Sequence, residues 1–293
     1  MSSLVRLPAA QVATLSAGYR AEQADKTRST VLGLFVLLLL VLTAGYVAEV
    51  DLVKFWANFD QLTNYFVRIL HLANGELVFT DPVEWFWGWE RWLDLLWETL
   101  LIAYLGTLFG TIGAFLLCFA ATNNLAVNPA QRFFARRLLE FFRTVPDLVY
   151  ALFFVVAFGL GPVPGVLALM LSSMGALGKL FAEVAENIDM KPVEGAIATG
   201  ATRWQAIRYA VVPQVLSNFV SYALLRFEIN VRSASVMGFV GAGGIGQDLL
   251  EAIRGFHYPD VSAILLLIIL TVVAIDLVTE RIRHRLISLE HGK

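Results

Sequence analysis

Cysteine is nearly absent from this 293-residue sequence, and the single Cys118 allows no intrachain disulfide and no cysteine-built metal site. Charge is scarce too. Only 16% of residues are Asp, Glu, Lys or Arg, and the formal net charge of −2 gives no overall basic field to attract nucleic acid, which is excluded as a partner. No Walker A sequence is present: Gly178-Lys179 is followed by Leu180 and lacks the first glycine at the required spacing. The chain is therefore not expected to bind or hydrolyse ATP. His71, His257, His284 and His291 are scattered without ligand spacing and read as surface residues, so no metal site is expected. With no recurrent nucleophile, metal or acid–base set, a membrane-embedded enzyme is the weakest functional class.

What the sequence has instead is apolar length. Hydrophobic residues make up 58% of the chain and mean hydropathy is +0.68, values that suit lipid better than water. Six stretches approach the roughly 20 apolar residues that a helix needs to cross about 30 Å of hydrocarbon. They are Thr30–Val50, Leu95–Ala121, Leu138–Leu160, Val163–Val184, Val211–Val240 and Val261–Thr279. An N-terminal secretory signal is disfavoured: the basic region is long, the apolar run continues to Val50, and no small-x-small cleavage site follows.

Basic residues alternate between the connecting segments. Arg20, Lys26 and Arg28 precede the first span, Arg132, Arg136 and Arg137 follow the second, and Lys191, Arg203 and Arg208 follow the fourth. Arg281, Arg283 and Arg285 follow the sixth. With six spans all four segments share one side, so both termini are expected to be cytoplasmic. The expected organisation is a tail (1–29), a first span (30–50), an external Trp-rich segment (51–94), a helical core (95–280) and a tail (281–293). In the Trp-rich segment Phe55, Phe59, Leu62, Phe66, Ile69 and Leu70 recur at helical spacing, which predicts an amphipathic surface helix. Trp85, Trp87, Trp89 and Trp92 read as interfacial anchors, the alternative being a small subdomain that packs these aromatics internally.

The polar stretch from Asp189 to Pro213 predicts two short helices. Pro192 suits a first helical turn, Gly200 can take the left-handed conformation that ends a helix, and Thr202 with Gln205 forms a capping box. Pro213 marks entry to the fifth span. Such a helix-turn-helix, small-sided at Ala196, Ala198 and Ala201, could rest in another protein's groove or be an ordinary connector.

Glu194-Gly195-Ala196, three residues, Gly200, nine residues, and Ala210-x-Val212-Pro213 resemble the E-A-A-x3-G-x9-I-x-L-P loop of ABC-importer permeases, with Gly195, Ala210 and Val212 as departures. Arg143-Thr-Val-Pro-Asp147, Gly159-Leu-Gly-Pro162, Gly178-Lys-Leu-Phe-Ala-Glu183, Glu228-Ile-Asn-Val-Arg232 and Val240-Gly-Ala-Gly-Gly-Ile-Gly246 are similar to the phosphonate-transport branch of that family. The resemblance covers roughly 97–285. It implies an all-α type I importer permease fold with a cytoplasmic coupling loop at 189–210, where Glu194, Gly195, Ala196, Thr199, Gly200, Ala201, Thr202 and Arg203 meet an ATPase. It also implies two ATPase subunits that carry the ATP and Mg²⁺, a second copy of this chain or a related permease, and an extracytoplasmic solute-binding protein. The location implied is a bacterial inner membrane and the cargo a phosphonate or related phosphorus oxyanion.

Gly241, Gly243 and Gly246 formally match a dinucleotide fingerprint, but a membrane helix, not a strand, precedes them and no βαβ unit follows. The resemblance implies instead that Gly241, Gly243, Gly244 and Gly246 form an external gate loop, where glycine serves positive φ or close packing. Charges within spans are the remaining signal, because they are costly unless paired or facing water. Arg226, Glu228, Asn230 and Arg232 crowd the fifth span; Arg232 stands at i, i+4 from Glu228, and Arg226 points elsewhere. With Arg143, Asp147 and Glu183 they are candidates for an anion pathway, or for salt bridges between helices involving Asp276, Glu183 or Asp147. A secondary transporter or channel is the rival reading, which would show inverted repeats with broken helices.

Overall fold

The computed structural model describes residues 9–72 and 74–291, so the ends of both expected tails lie outside the described residues. Two units are distinguished, one ending at Tyr65 and the other beginning at Phe66.

The first unit is dominated by helix α1 (Ala9–Val47), which continues the expected first span back through all of the described part of the tail. Asp25–Val47 contains a stretch long and apolar enough to cross a membrane, and none of that stretch is buried. A helix that exposes Val31 to Leu42 throughout has lipid as its solvent. The Thr27, Thr30 and Thr43 hydroxyls bond within the helix, Thr43 Oγ1 donating to the Leu39 carbonyl at 2.8 Å. Glu49 at φ +52° ends the run, and Asp51 then caps α2 (Leu52–Ala57) by accepting from the Val53 and Lys54 N–H groups at 3.0 Å. Helix α3 (Phe59–Ile69) crosses into the second unit, and it is amphipathic with no buried residue.

The second unit continues with α4 (Pro82–Trp85), α5 (Trp89–Ala121), α6 (Pro129–Thr144), α7 (Asp147–Phe158) and α8 (Pro162–Glu186). Helices α9 (Lys191–Ala198), α10 (Arg203–Ala206), α11 (Val212–Met237), α12 (Ile245–Arg254) and α13 (Tyr258–His291) complete it. Helices α5 and α8 form its central pair. Gly106 and Gly110, a G-x3-G on α5, bring the α5 backbone against α8: a Cβ on Gly110 would stand 2.6 Å from Ser173 Cβ and 2.9 Å from the Met170 carbonyl oxygen. Three apolar clusters follow the bundle's length. One centres on Phe181 and Phe219, stacked at 4.0 Å; a second holds Ile102, Leu169, Val231 and Met237; the third holds Trp85, Trp92, Ile245 and Ile264.

Three expectations change. Four described helices, α1, α5, α8 and α13, contain stretches long and apolar enough to cross a membrane, and α6 with α7 makes a fifth if the bent pair is one span. The expected third span, Leu138–Leu160, is broken: α6 and α7 meet at 88°. Pro146 supplies no N–H and disfavours helical backbone at Val145, which is extended at ψ 125°. The fifth expected span is present as the 26-residue α11, but Arg226, Glu228 and Arg232 keep it out of the apolar set. Lastly, the tryptophans divide. Trp87 and Trp89 are exposed as anchors should be, whereas Trp85 and Trp92 are 6% and 3% exposed and pack internally. Trp85 Nε1 donates to Ser262 Oγ at 2.9 Å, which satisfies the indole inside that packing.

Candidate functional sites

The stretch between α8 and α11 folds as a helical hairpin. Pro192 lies in the first turn of α9 and Val193 is the residue that α9 buries, leaving Glu194 and Gly195 exposed. Gly200 adopts φ +86°. Its N–H meets the Ile197 carbonyl at 3.0 Å and the Ala201 N–H meets the Ala196 carbonyl at 3.1 Å, the paired bonds of a Schellman stop. Thr202 then opens α10, its N–H donating to Gln205 Oε1 at 2.7 Å. Thr199, Thr202, Arg203 and Trp204 face outward, and Ala196 and Ala201 are half-buried. The hairpin therefore presents Glu194, Ile197, Arg203 and Trp204 on a small-residue frame.

Its base is tied to the bundle by groups the sequence reading did not single out. A π-helical turn, Ile207–Val211, joins α10 to α11, and Gln214 lies just beyond it. Gln214 Oε1 accepts from the Asp189 N–H at 3.1 Å, while Nε2 donates to the carbonyls of Asp189 at 3.2 Å and Ala210 at 2.7 Å. One side chain thus joins the start of the hairpin to its end. On the other flank Glu186 accepts from the Asn123 N–H at 2.8 Å and from Arg136 Nη2 at 2.5 Å.

Midway along the bundle a polar network links α5, α7, α8 and α11. Asp147 opens α7; its Oδ1 accepts a short hydrogen bond from the Ser172 hydroxyl and its Oδ2 one of 3.1 Å from Ser233. Arg226 donates to Ser172 Oγ at 2.6 Å and Ser173 Oγ at 3.1 Å, and lies 3.7 Å from the Asp147 carboxylate. Asn230, wholly buried, donates to Ser173 Oγ at 2.7 Å and Thr107 Oγ1 at 2.8 Å, leaving its own Oδ1 without a partner. Burying these groups is tolerable because the carboxylate, the Asn230 amide NH2 and one edge of the guanidinium all have partners, and Arg226 and Asp147 keep part of their surface. Arg232 belongs to a separate group: it pairs with Glu228 along α11 and reaches Asp276 on α13 at 3.6 Å.

The charged pathway candidates therefore do not converge. Asp147, Arg226 and Asn230 share one network, Glu228 and Arg232 another. Arg143 is exposed at the end of α6 and Glu183 is exposed beside Lys179 at 3.8 Å. Ser172, Ser173, Ser233 and Thr107 join the first network unannounced; the only signal was the Ser172-Ser173 pair inside an apolar run.

The glycine loop closes the far end of α11. Gly241, Gly243 and Gly244 have φ of +83°, +81° and +77°. The Gly244 N–H donates to Glu98 Oε1 at 3.3 Å and the Ile245 N–H to Thr99 Oγ1 at 2.9 Å, while the Gly241 carbonyl accepts from the Gly161 N–H at 3.0 Å. Gly246 lacks room for a side chain beside the Ser235 carbonyl.

Lipid-facing helices, a buried polar network and a projecting helical hairpin define a membrane-spanning transport permease. The chain belongs to the family described as binding-protein-dependent transport system inner membrane component, which matches residues 106–288. A phosphite transport system permease protein of Stutzerimonas stutzeri is 44% identical over 191 residues, 65% of this chain and 70% of that protein. A phosphate-import permease protein of Mycolicibacterium smegmatis is 42% identical over 191 residues, 65% of this chain but 36% of that longer protein. The permease of the inward-facing MetNI methionine ABC transporter superposes with a TM-score of 0.60 at 20% identity, covering 70% of this chain and 98% of that one, so the fold is that of ABC importer permeases.

Proposed function

We propose that this chain is the permease subunit of an ATP-driven, binding-protein-dependent importer of phosphonate or a related phosphorus oxyanion such as phosphite. The observation that carries this reading is the identity of 44% with the phosphite permease over 191 residues, together with the family match over 106–288, which contains the hairpin, the glycine loop and every member of the polar network. In this reading ATP and Mg²⁺ stay on two partner ATPase subunits. The hairpin of α9 and α10, with Glu194, Gly195, Ala196, Thr199, Gly200, Ala201, Thr202 and Arg203, rests on one of them in the cytoplasm. Closure of the ATPase pair then moves α11 through the Gln214 link, and two permeases, this chain with a copy or a relative, alternate access between the two sides.

An extracytoplasmic binding protein delivers the anion at the end bearing Gly241, Gly243, Gly244 and Gly246. Arg226, Asn230 and Asp147 lie on the anion's route, where a guanidinium and hydroxyl donors suit tetrahedral oxygens. Glu228 and Arg232 act as an interhelical tie beside it, and Arg143 and Glu183 stand outside the contact set. Both termini face the cytoplasm of a bacterium with the protein in its inner membrane. The test is growth of a strain lacking phosphite uptake, complemented with this chain together with the ATPase and binding protein of a phosphite importer, on phosphite and on methylphosphonate. Uptake that persists when the ATPase is inactivated would instead favour a secondary transporter.

A further inference from the structure

The Asp147 carboxylate is held as a bound oxyanion would be. Its two oxygens take hydroxyl hydrogen bonds from Ser172 on α8 and Ser233 on α11, and the Arg226 charge stands 3.7 Å away. That distance is too long for a direct hydrogen bond. Arg226 Nε donates to Ser173 and Nη2 to Ser172 instead, so this edge of the guanidinium, one of the two that could grip an anion bidentately, is occupied by neutral hydroxyls. The pair is not sealed: the side chains of Arg226 and Asp147 keep 14% and 24% of their surface. Asn230 Oδ1, buried in the same network, also lacks a donor, and a monoanionic phosphorus oxyanion carries a P–OH donor as well as acceptors.

A serine hydroxyl has a single hydrogen, so Ser172 and Ser233 cannot donate to Asp147 and to a second anion at once. We propose that Asp147 is a resident anion that occupies an oxyanion site made by Arg226, Ser172, Ser173 and Ser233, and that a phosphorus oxyanion displaces it during passage. This rests on the importer reading above and adds the residue that competes with the cargo. Asp147 is the first residue of α7, directly after the 88° break, so its release frees the first turn of the helix that bends there. Occupancy of the site and the angle of α7 are coupled through one carboxylate.

The experiment is binding of phosphite to the full-length chain in detergent, read from broadening of its ³¹P resonance. Wild type should bind weakly, and Asp147→Asn and Asp147→Ser should bind about tenfold more tightly or better, as expected when a competing anion is removed. Adding Arg226→Gln to either should abolish the gain. No gain in neutral variants that elute like wild type, or a gain that survives Arg226→Gln, overturns the proposal. Collapse of both neutral variants while Asp147→Glu folds and binds as wild type would make the pair a packing element only, and overturns it as well. Uptake by cells separates the two readings. Transport of phosphite by wild type with no gain in Asp147→Asn sinks the competition alone, and a gain without wild-type uptake sinks the importer reading alone.

Discussion

Gly200 illustrates how one residue sets the direction of a surface element. At φ +86° it closes α9 with two backbone hydrogen bonds, and a β-branched side chain there costs roughly 1–2 kcal/mol. Nothing lies within 4 Å of its hypothetical Cβ, so the cost is conformational and local to the hairpin. Gly200→Val is therefore expected to reach the membrane in normal amount and to lose the co-purifying ATPase, or transport when the ATPase remains; wild-type uptake would remove the coupling role. Arg232 tests a different physics. Arg232→Gln strands Glu228 and Asp276 without their cation, and removing one partner of a pair costs more than removing both. The single variant should accumulate poorly and the double variant Glu228→Gln/Arg232→Gln should recover part of the wild-type level, measured by immunoblot of membranes. Equal levels in both would mean that the α11–α13 tie contributes nothing.

At the scale of helices, close approach of α5 and α8 depends on which atom a new methyl group would meet. Replacing glycine by alanine in a helix contributes about 1 kcal/mol of propensity, whereas overpacking costs about 1–3 kcal/mol. At Gly110 the neighbours are Ser173 Cβ and a carbonyl oxygen of α8, which cannot yield without moving the helix; at Gly113 they are the flexible tip of Met174, at 2.9 Å. Gly110→Ala should lower the melting temperature of the detergent-purified protein, and Gly113→Ala should leave it unchanged or raise it. Equal shifts would mean that backbone proximity does not limit this pair. The link from hairpin to bundle is the other element-level claim. Gln214→Leu keeps the volume but removes all three hydrogen bonds to Asp189 and Ala210, so ATPase binding should persist while uptake per ATP hydrolysed falls. Loss of ATPase binding instead would place Gln214 in the docking surface.

For the whole molecule, sidedness is the decisive quantity, and the alternation of basic segments sets its expected sign. In a Cys118→Ala background, single cysteines replacing Ala130 and Thr202, both exposed, should be shielded from an impermeant thiol reagent in intact cells. One replacing Asn74 should be labelled. Labelling at position 202 from outside would reverse the orientation and detach the hairpin from any cytoplasmic ATPase. Cys118 itself is fully buried, so its replacement by alanine removes background reactivity while leaving the surface unchanged.

The lipid-spanning character and the hairpin with its stop at Gly200 were legible in the sequence, because each follows from local chemistry: apolar length, a proline at a helix start, a glycine where a side chain is strained. The loop glycines Gly241, Gly243 and Gly244 were legible through the family resemblance, while the positive φ of Gly159 and Gly161 was not. Pro146 was equally visible, yet the apolar run around it read as one span. A proline shows that a helix can break, but only the packing of α6 and α7 fixes the 88° between them. Trp85 and Trp92 were misread as anchors for a related reason, since an indole suits an interface and a core equally and only Ser262 and the facing apolar groups chose the core. Charge content marked α11 as unusual but could not pair Arg226 with Asp147, 79 positions earlier, nor recruit the neutral hydroxyls of Ser172, Ser173 and Ser233. Spacing along one helix determines what i, i+4 neighbours do, as with Glu228 and Arg232. Which charges meet across helices is decided by where glycines let backbones approach and where a broken helix delivers its first residue.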